Sequence, residues 1–272
     1  MVLMCAPAAE RRWSNSGVVR SGPFTMSPHA QRPNVSPVKK TEVVQPRLLV
    51  IVPSRGRPGR LAELIAAIRA TRTATTQVAV GLDGDDPRLR QYLTGPQGSD
   101  VEYVIGDRKS LTGWTNTIAL GRLSHGFTHY ASLGDDHLPR TRGWDDTLMR
   151  AADRSGPGIS YGNDLAQGEN LATAPVINVK IVRALGWMCY PKCQHYLVDN
   201  IWIDLGRAAG CLTYCPDVVV EHLHPAFGKG TMDATYADAG GFSVDHPDYR
   251  AYLEWQRTGR SLDVAKVQAA RL

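Results

Sequence analysis

The chain has 272 residues, 43% of them hydrophobic, enough for one large α/β domain or two small ones. Its formal net charge of +5 is unevenly placed: residues 1–47 hold seven of the 31 Lys/Arg and two of the 26 acids, so the rest of the chain carries 24 of each. A folded part without net charge gives no electrostatic signal for nucleic-acid binding, and no apolar run reaches the length of a membrane span.

Residues 1–46 contain Pro7, Pro23, Pro28, Pro33, Pro37 and Pro46 among many Ser and Asn. That composition cannot bury a core, so a disordered basic tail is expected before a single domain at 47–272. Residues 1–10 lack the basic-then-apolar order of a signal peptide, which predicts a cytoplasmic protein.

The domain opens with the continuous apolar run 47–53, the pattern of a strand buried on both faces. Ser54-Arg55-Gly56-Arg57-Pro58-Gly59 breaks it, and Leu61, Leu64, Ile65 and Ile68 then recur at helical spacing. A second strand at 77–82 ends in Asp83-Gly84-Asp85-Asp86. A third strand at 101–105, a helix at 112–123 and a fourth strand at 128–133 follow, and the last runs into Gly134-Asp135-Asp136-His137. The order β-α-β-α-β-α-β predicts a mostly parallel sheet with helices on both faces. Beyond it the pattern predicts a helix at 144–153, short strands at 158–161 and 174–179, and an amphipathic helix at 199–210. A last strand at 215–223 precedes a loop with a short C-terminal helix.

Three polar turns thus fall at the carboxyl ends of parallel strands, the edge where α/β sheets bind ligands. Arg55, Arg57 and Arg60, with the helix start after Pro58, suit a phosphate. Adjacent Asp135 and Asp136 repel, and a hard divalent cation with oxygen ligands relieves that; the alternative is that one of them caps a turn near Pro139. His222 and His224 project to one face of the last strand, and carboxylate plus imidazole suits manganese somewhat better than magnesium. Cys189 and Cys193, like Cys211 and Cys215, are spaced more widely than zinc knuckles and read as buried or free thiols.

Val52-Pro53-Ser54-Arg55-Gly56-Arg57-Pro58, the acidic turn after the second strand, the Asp-Asp turn after the fourth and the late His together resemble a GT-A glycosyltransferase of the family 2 type. The likeness is to the compact forms encoded by bacteriophages and actinobacteria, and it covers roughly residues 48–236. It implies a GT-A (Rossmann-like) mixed, mostly parallel sheet flanked by helices. The implied activity is metal-dependent, inverting transfer of a hexose from a nucleotide-diphosphate sugar to an acceptor hydroxyl. Pro53, Ser54 and Arg55 match the family's first nucleotide-contacting loop. Asp83, with Asp85, matches the acid that contacts base or ribose. Gly134-Asp135-Asp136 matches the D-x-D motif with Gly134 for the first Asp, which leaves Asp136 as direct ligand of Mn2+ (or Mg2+) and Asp135 beside the donor. His222 or His224 matches the late metal-binding His. Asp199, placed before Trp202, looks like the general base, with a helix N-cap as its alternative role. Trp114 and Asn116 line the implied donor site, although Trp114 also suits the core. Lys229, in a lid with Asp233 and Tyr236, is the implied diphosphate contact. The acceptor stays open among protein, glycan and modified DNA base, and a phage-encoded relative would act in the host cytoplasm. Nucleotide-sugar binding without catalysis is one alternative. Nucleotidyl transfer is another, although 54–59 is a poor match to its glycine-rich loop.

Overall fold

In a computed structural model of the chain the described residues are 45–229, 233 and 242–272. The expected tail, but for residues 45 and 46, and Tyr236 lie outside them. Four parallel strands, β1 (Arg47–Ser54), β2 (Thr75–Asp83), β3 (Val101–Gly106) and β4 (His129–Ser132), form the half ordered β3-β2-β1-β4. Four more, β5 (His137–Pro139), β6 (Ile159–Asn163), β7 (Val176–Asn178) and β8 (Leu212–His222), extend it as β4-β7-β6-β8-β5. There β7 runs antiparallel to β4 and β6, β8 runs parallel to β6, and β5 runs antiparallel to β8. This is the mixed, mostly parallel GT-A sheet that the resemblance implies.

The continuous apolar run of β1 is explained by two cores, one on each face of the sheet. Leu49 and Ile51 pack with Ala79, Ile118, Tyr130 and Trp202, whereas Leu48, Val50 and Val52 pack with Leu61, Leu64, Ile65, Ile68, Trp144 and Leu148. The second set comes from α1 (Pro58–Thr71) and, beyond the short α2 (Leu89–Leu93) and α3 (Leu111–Gly121), from α4 (Trp144–Ala152). Pro58 supplies the preset φ of a first helical turn. Ser110 caps α3 by accepting from the Gly113 N–H at 3.1 Å. The remaining α-helices among the described residues are α5 (Val179–Leu185), α6 (Val198–Ala209), α7 (Pro247–Glu254) and α8 (Arg260–Ala270), and a π-helical turn at Trp255–Gly259 joins the last two. None of the described helices is long and apolar enough to cross a membrane.

Three elements escape the sequence pattern. The apolar stretch 174–179 reads as one strand, but Asn178 ends β7 and caps α5, accepting from Lys180 N–H at 2.9 Å. The helix α2 is a single short segment, and β5 has three residues that become a strand only by pairing with β8. That pairing also removes the expected turn cap near Pro139, because the chain leaves Asp136 as a strand. Cys189, Cys193 and Cys211 are buried free thiols and Cys215 is half-buried. Burial pushes Cys189 and Cys193 up to about 12, so these thiols stay protonated.

The entry to β2 is held by Asp145, fully buried in the first turn of α4. Its carboxylate accepts from the backbone N–H of Thr73 (3.0 Å) and Ala74 (3.0 Å) and from the Thr76 hydroxyl (2.6 Å). Asp145→Ala strands three donors in a dry site and is expected to cost about 3 kcal/mol of unfolding free energy. Urea denaturation checks this, and a loss below about 1 kcal/mol would reject the anchoring role.

Candidate functional site

The pairing of β5 with β8 sets His137 directly opposite His222. Their rings stack with centroids 4.1 Å apart and planes 16° from parallel. Asp136 lies beside both, its two carboxylate oxygens 3.3 Å from His137 Nδ1 and 3.5 Å from His222 Nε2. One ligand atom from each of these three residues can be chosen so that all lie within 4.8 Å of one another. Burial works to raise the Asp136 carboxyl, but the two imidazoles beside it hold it well below the usual carboxylate range. His137 Nε2 and His222 Nδ1 are buried and have no hydrogen-bond partner among the described residues. A buried carboxylate with two imidazoles, each ring keeping one further nitrogen without a partner among the described residues, is a donor set that fits a divalent transition-metal ion better than a closed apolar core.

Gly134 has a packing reason here. A Cβ at this position would lie 2.5 Å from Asp136 Oδ1 and 3.1 Å from His137 Nδ1. The Gly134 N–H also donates to His137 Nδ1 at 3.0 Å. The Asp136 carboxylate, with the His137 ring beside it, therefore occupies the space that the first Asp of a D-x-D motif would need.

Asp135 points the other way, into β1. Ser54 Oγ donates to its Oδ2 at 2.6 Å, and Arg57 Nη1 donates to its Oδ1 at 3.2 Å. The proton order in this network follows from chemistry. Ser54 spends its one proton on Asp135, so the Tyr92 hydroxyl, which accepts from the Arg57 backbone N–H at 2.7 Å, gives its own proton to Ser54 Oγ at 2.9 Å. Burial, with the charge of Asp136, pushes Asp135 up to about 6 against the pull of Arg57 and Ser54. Arg57 also holds Asp233 with its Nε (2.7 Å) and Nη2 (2.6 Å).

The second acidic turn lies alongside. Buried Asp83 accepts from Trp114 Nε1 (2.7 Å), the Lys109 N–H (3.0 Å) and Arg55 Nη1 (3.0 Å). Arg55 also pairs with exposed Asp85 at 2.5 Å. Trp114 packs over β2, where a Cβ at Gly81 would meet its ring at 2.8 Å. It therefore both fills the core and orients Asp83. Asn116 clamps the chain at 188–189, accepting from Met188 N–H and Cys189 N–H and donating to the Cys189 carbonyl at 2.7 Å. Pro53, one residue before Ser54, is half-buried at the end of β1.

The late residues divide. Because β8 ends at His222, His224 leaves the strand, and its Nδ1 accepts from Ala226 N–H at 3.1 Å. Its ring stands 5.3 Å from His222 but outside the group of three. Lys229 Nζ holds Glu221 and the Leu165 carbonyl, each at 3.2 Å. Asp199 sits in the first turn of α6, whose cap residue is Leu197, at φ 65° and without a side-chain cap bond. Among the described residues none donates a hydrogen bond to the Asp199 carboxylate. Burial pushes it up to about 7, opposed by the charge of His222 and aided by that of Asp164. Asp164 itself is committed to the N–H groups of Ala166, Gln167 and Gly168, and Asp204 to Tyr252 and Gln256. His137, Tyr92 and the clamp role of Asn116 are absent from the sequence reading. Only His137 left a signal there, as the third polar residue of Asp135-Asp136-His137.

No family model and no curated protein sequence matches the chain. Among solved structures it is similar to the mannosyltransferase PcManGT from Pyrobaculum calidifontis in complex with GDP-Man and Mn2+. That match has TM-score 0.50 and 14% identity and covers 84% of this chain and 74% of that one. It is also similar to S. aureus TarS 1-349 in complex with UDP-GlcNAc, with TM-score 0.58 and 9% identity, covering 82% and 70%. At such identities the likeness is one of fold, and it agrees with the GT-A sheet described above.

If the cluster holds a metal, Asp136→Ala, His137→Ala and His222→Ala each weaken Mn2+ binding about 10-fold or more, read by calorimetry. Gly134→Asp, which rebuilds the full D-x-D motif, is expected to weaken binding as well, because its side chain meets the Asp136 carboxylate and then His137. Tighter Mn2+ binding by Gly134→Asp would overturn this packing account.

Proposed function

We propose that the chain is a metal-dependent glycosyltransferase that moves a hexose from a nucleotide-diphosphate sugar to an acceptor hydroxyl with inversion. The observation that carries the reading is a pairing at one sheet edge. A cluster suited to a divalent ion, Asp136 with His137 and His222, lies within electrostatic reach of Asp199, a carboxyl raised to about 7 that no described residue hydrogen-bonds. A binding protein has no need to keep a carboxylate unpartnered at such a place, whereas a general base does. The GDP-Man, Mn2+ and UDP-GlcNAc of the two similar structures support a nucleotide-sugar donor and a manganese-type ion.

In this reading Asp136, His137 and His222 hold Mn2+ or Mg2+, with His137 standing in for the first Asp of the D-x-D motif and His222 as the late histidine. When bound, such an ion neutralises charge on the departing diphosphate. The chain's own groups do the rest. Asp199 takes the proton of the acceptor hydroxyl as its oxygen attacks the anomeric carbon, and the bond from that carbon to the diphosphate oxygen breaks on the opposite side. A base with a pKa near the working pH combines a useful ionised fraction with real basicity. Arg55, Asp83, Asp85 and Trp114 form the nucleoside end of the edge. Asp135 contributes by fixing Ser54 and Arg57 rather than by touching the ion. Lys229 reaches the diphosphate only by exchanging Glu221 and the Leu165 carbonyl, a change suited to a closing lid.

Two readouts test Asp199. The rate of nucleoside diphosphate release should rise as pH passes through about 7 and level off above it, since only the ionised carboxylate accepts a proton. Asp199→Asn should lower that rate roughly 100-fold. The variant should also melt higher than wild type at pH 8 but not at pH 4. The sign follows from the raised pKa: the folded state binds the proton more tightly than the unfolded one, so ionisation above neutrality destabilises wild type alone. An Asn variant that keeps full activity removes Asp199 as the base.

A further inference from the structure

The C-terminal segment reads from sequence as a loop and a short helix without a role. In the structure it grips α6 and the loop before it. Asp248, fully buried in the first turn of α7, accepts three consecutive backbone N–H groups: Gln194 (2.9 Å) on Oδ1, and His195 (2.8 Å) and Tyr196 (2.7 Å) on Oδ2. Four residues on, the Tyr252 hydroxyl donates to Asp204 Oδ2 in the middle of α6 at 2.5 Å. Four further on, Gln256 Nε2 donates to the same oxygen. Residues spaced by four share one face of a helix, so a single stripe holds α6 at two levels. The loop is tied from its other side as well, where the Gln194 carbonyl accepts from Thr112 N–H at 3.1 Å.

What the stripe holds is strained. Leu197, immediately after the three captured N–H groups, has φ 65°, a conformation a branched side chain rarely adopts. It persists only where the surroundings over-determine it. Two residues later comes Asp199. A carboxylate saturated by three N–H groups on one side of a strained residue, and the reacting carboxylate on the other, is the arrangement of a support and the group it aims.

We infer that Asp248 is a positioning residue for the base Asp199: by capturing the N–H groups of 194–196 it enforces the Leu197 turn that sets the first turn of α6 against the Asp136–His137–His222 cluster. The inference rests on the transferase reading and adds to it a second carboxylate that touches neither donor nor acceptor. Its loss lets the base swing, which costs turnover rather than donor affinity.

The test is a graded series in the full-length chain with Mn2+. Nucleoside diphosphate release is read from a nucleotide-sugar panel that includes GDP-Man and UDP-GlcNAc. With its oxygen at the Oδ2 position, Asp248→Asn keeps the His195 and Tyr196 bonds and turns an NH2 towards Gln194 N–H, whereas Asp248→Ala keeps none. The expected order of kcat is wild type, then Asn, then Ala. Ala should lose about 10-fold or more, with the donor KM within about 2-fold, at a temperature where circular dichroism shows both variants folded. Amide exchange across 194–199 should quicken in the same order. A purely structural role would lower Tm and leave kcat of the folded protein unmoved. The inference fails if Asp248→Ala matches wild-type kcat while Asp199→Asn does not, and where the Ala variant does not fold, an Asn variant with full kcat overturns it equally. Wild-type chain that releases no nucleoside diphosphate from any donor rejects the transferase reading itself, and the inference falls with it.

Discussion

Two carboxylates follow one another at the end of β4, and the site is organised around keeping them apart. At about 4 Å and an effective dielectric near 20, two like charges repel by about 4 kcal/mol. Sequence neighbours cannot escape by distance, so they are turned to opposite partners. Asp135 faces Ser54 and Arg57 at the end of β1 and ties the first polar turn to the fourth strand. Asp136 faces the stacked imidazoles of β5 and β8. That division also explains why three residues after it form a strand at all. β5 is too short to persist alone, and its pairing with β8 is what brings His222 across the sheet to His137.

Buried acids elsewhere sort by what donates to them. Asp86 accepts from the N–H groups of Gly56 and Arg88, Asp145 from Thr73 and Ala74, Asp164 from three successive N–H groups after β6, and Asp248 from three before α6. Each such carboxylate holds a loop in place through the N–H groups it accepts. Asp83 is a mixed case, since it takes one N–H but also orients Trp114 and Arg55. Asp199 belongs to neither kind. This difference, more than burial, sets Asp199, the proposed base, apart from the carboxylates that hold loops.

The sequence made the parallel half legible because β1, β2 and β4 are apolar runs that stop at polar turns, a pattern dictated by burial on both faces. It also placed Asp136, His222 and Asp199 at strand and helix ends. The second half was less readable because its elements are set by pairing across the chain: β5 exists through β8, α5 begins inside an apolar stretch, and α7 holds a loop some fifty residues before it. His222 and His224 looked equivalent by alternation, but alternation lasts only as long as the strand, and β8 stops at the first of them. Trp114 looked like core or donor site and is core that orients Asp83. Gly134 looked like a defect in a motif, but a side chain there would meet the Asp136 carboxylate and the ring of His137.

The half-buried Asp199 carboxylate accepts no hydrogen bond from any described residue, and burial raises it to about 7. Donating two backbone N–H groups to Asp199 would steady it, but each such bond favours the ionised form and lowers its basicity. The strained turn at Leu197 provides another solution. It lets α6 start without drawing on the Asp199 side chain as a cap, so the carboxylate is held by backbone geometry instead of by hydrogen bonds to its oxygens. The helix retains its register through Asp248 before the turn, which accepts three backbone N–H groups, and Asp204 within the helix, whose Oδ2 accepts from Tyr252 and Gln256. Those two acids hold the chain, whereas the Asp199 carboxylate accepts no hydrogen bond from any described residue, which is what the proposed role of base requires.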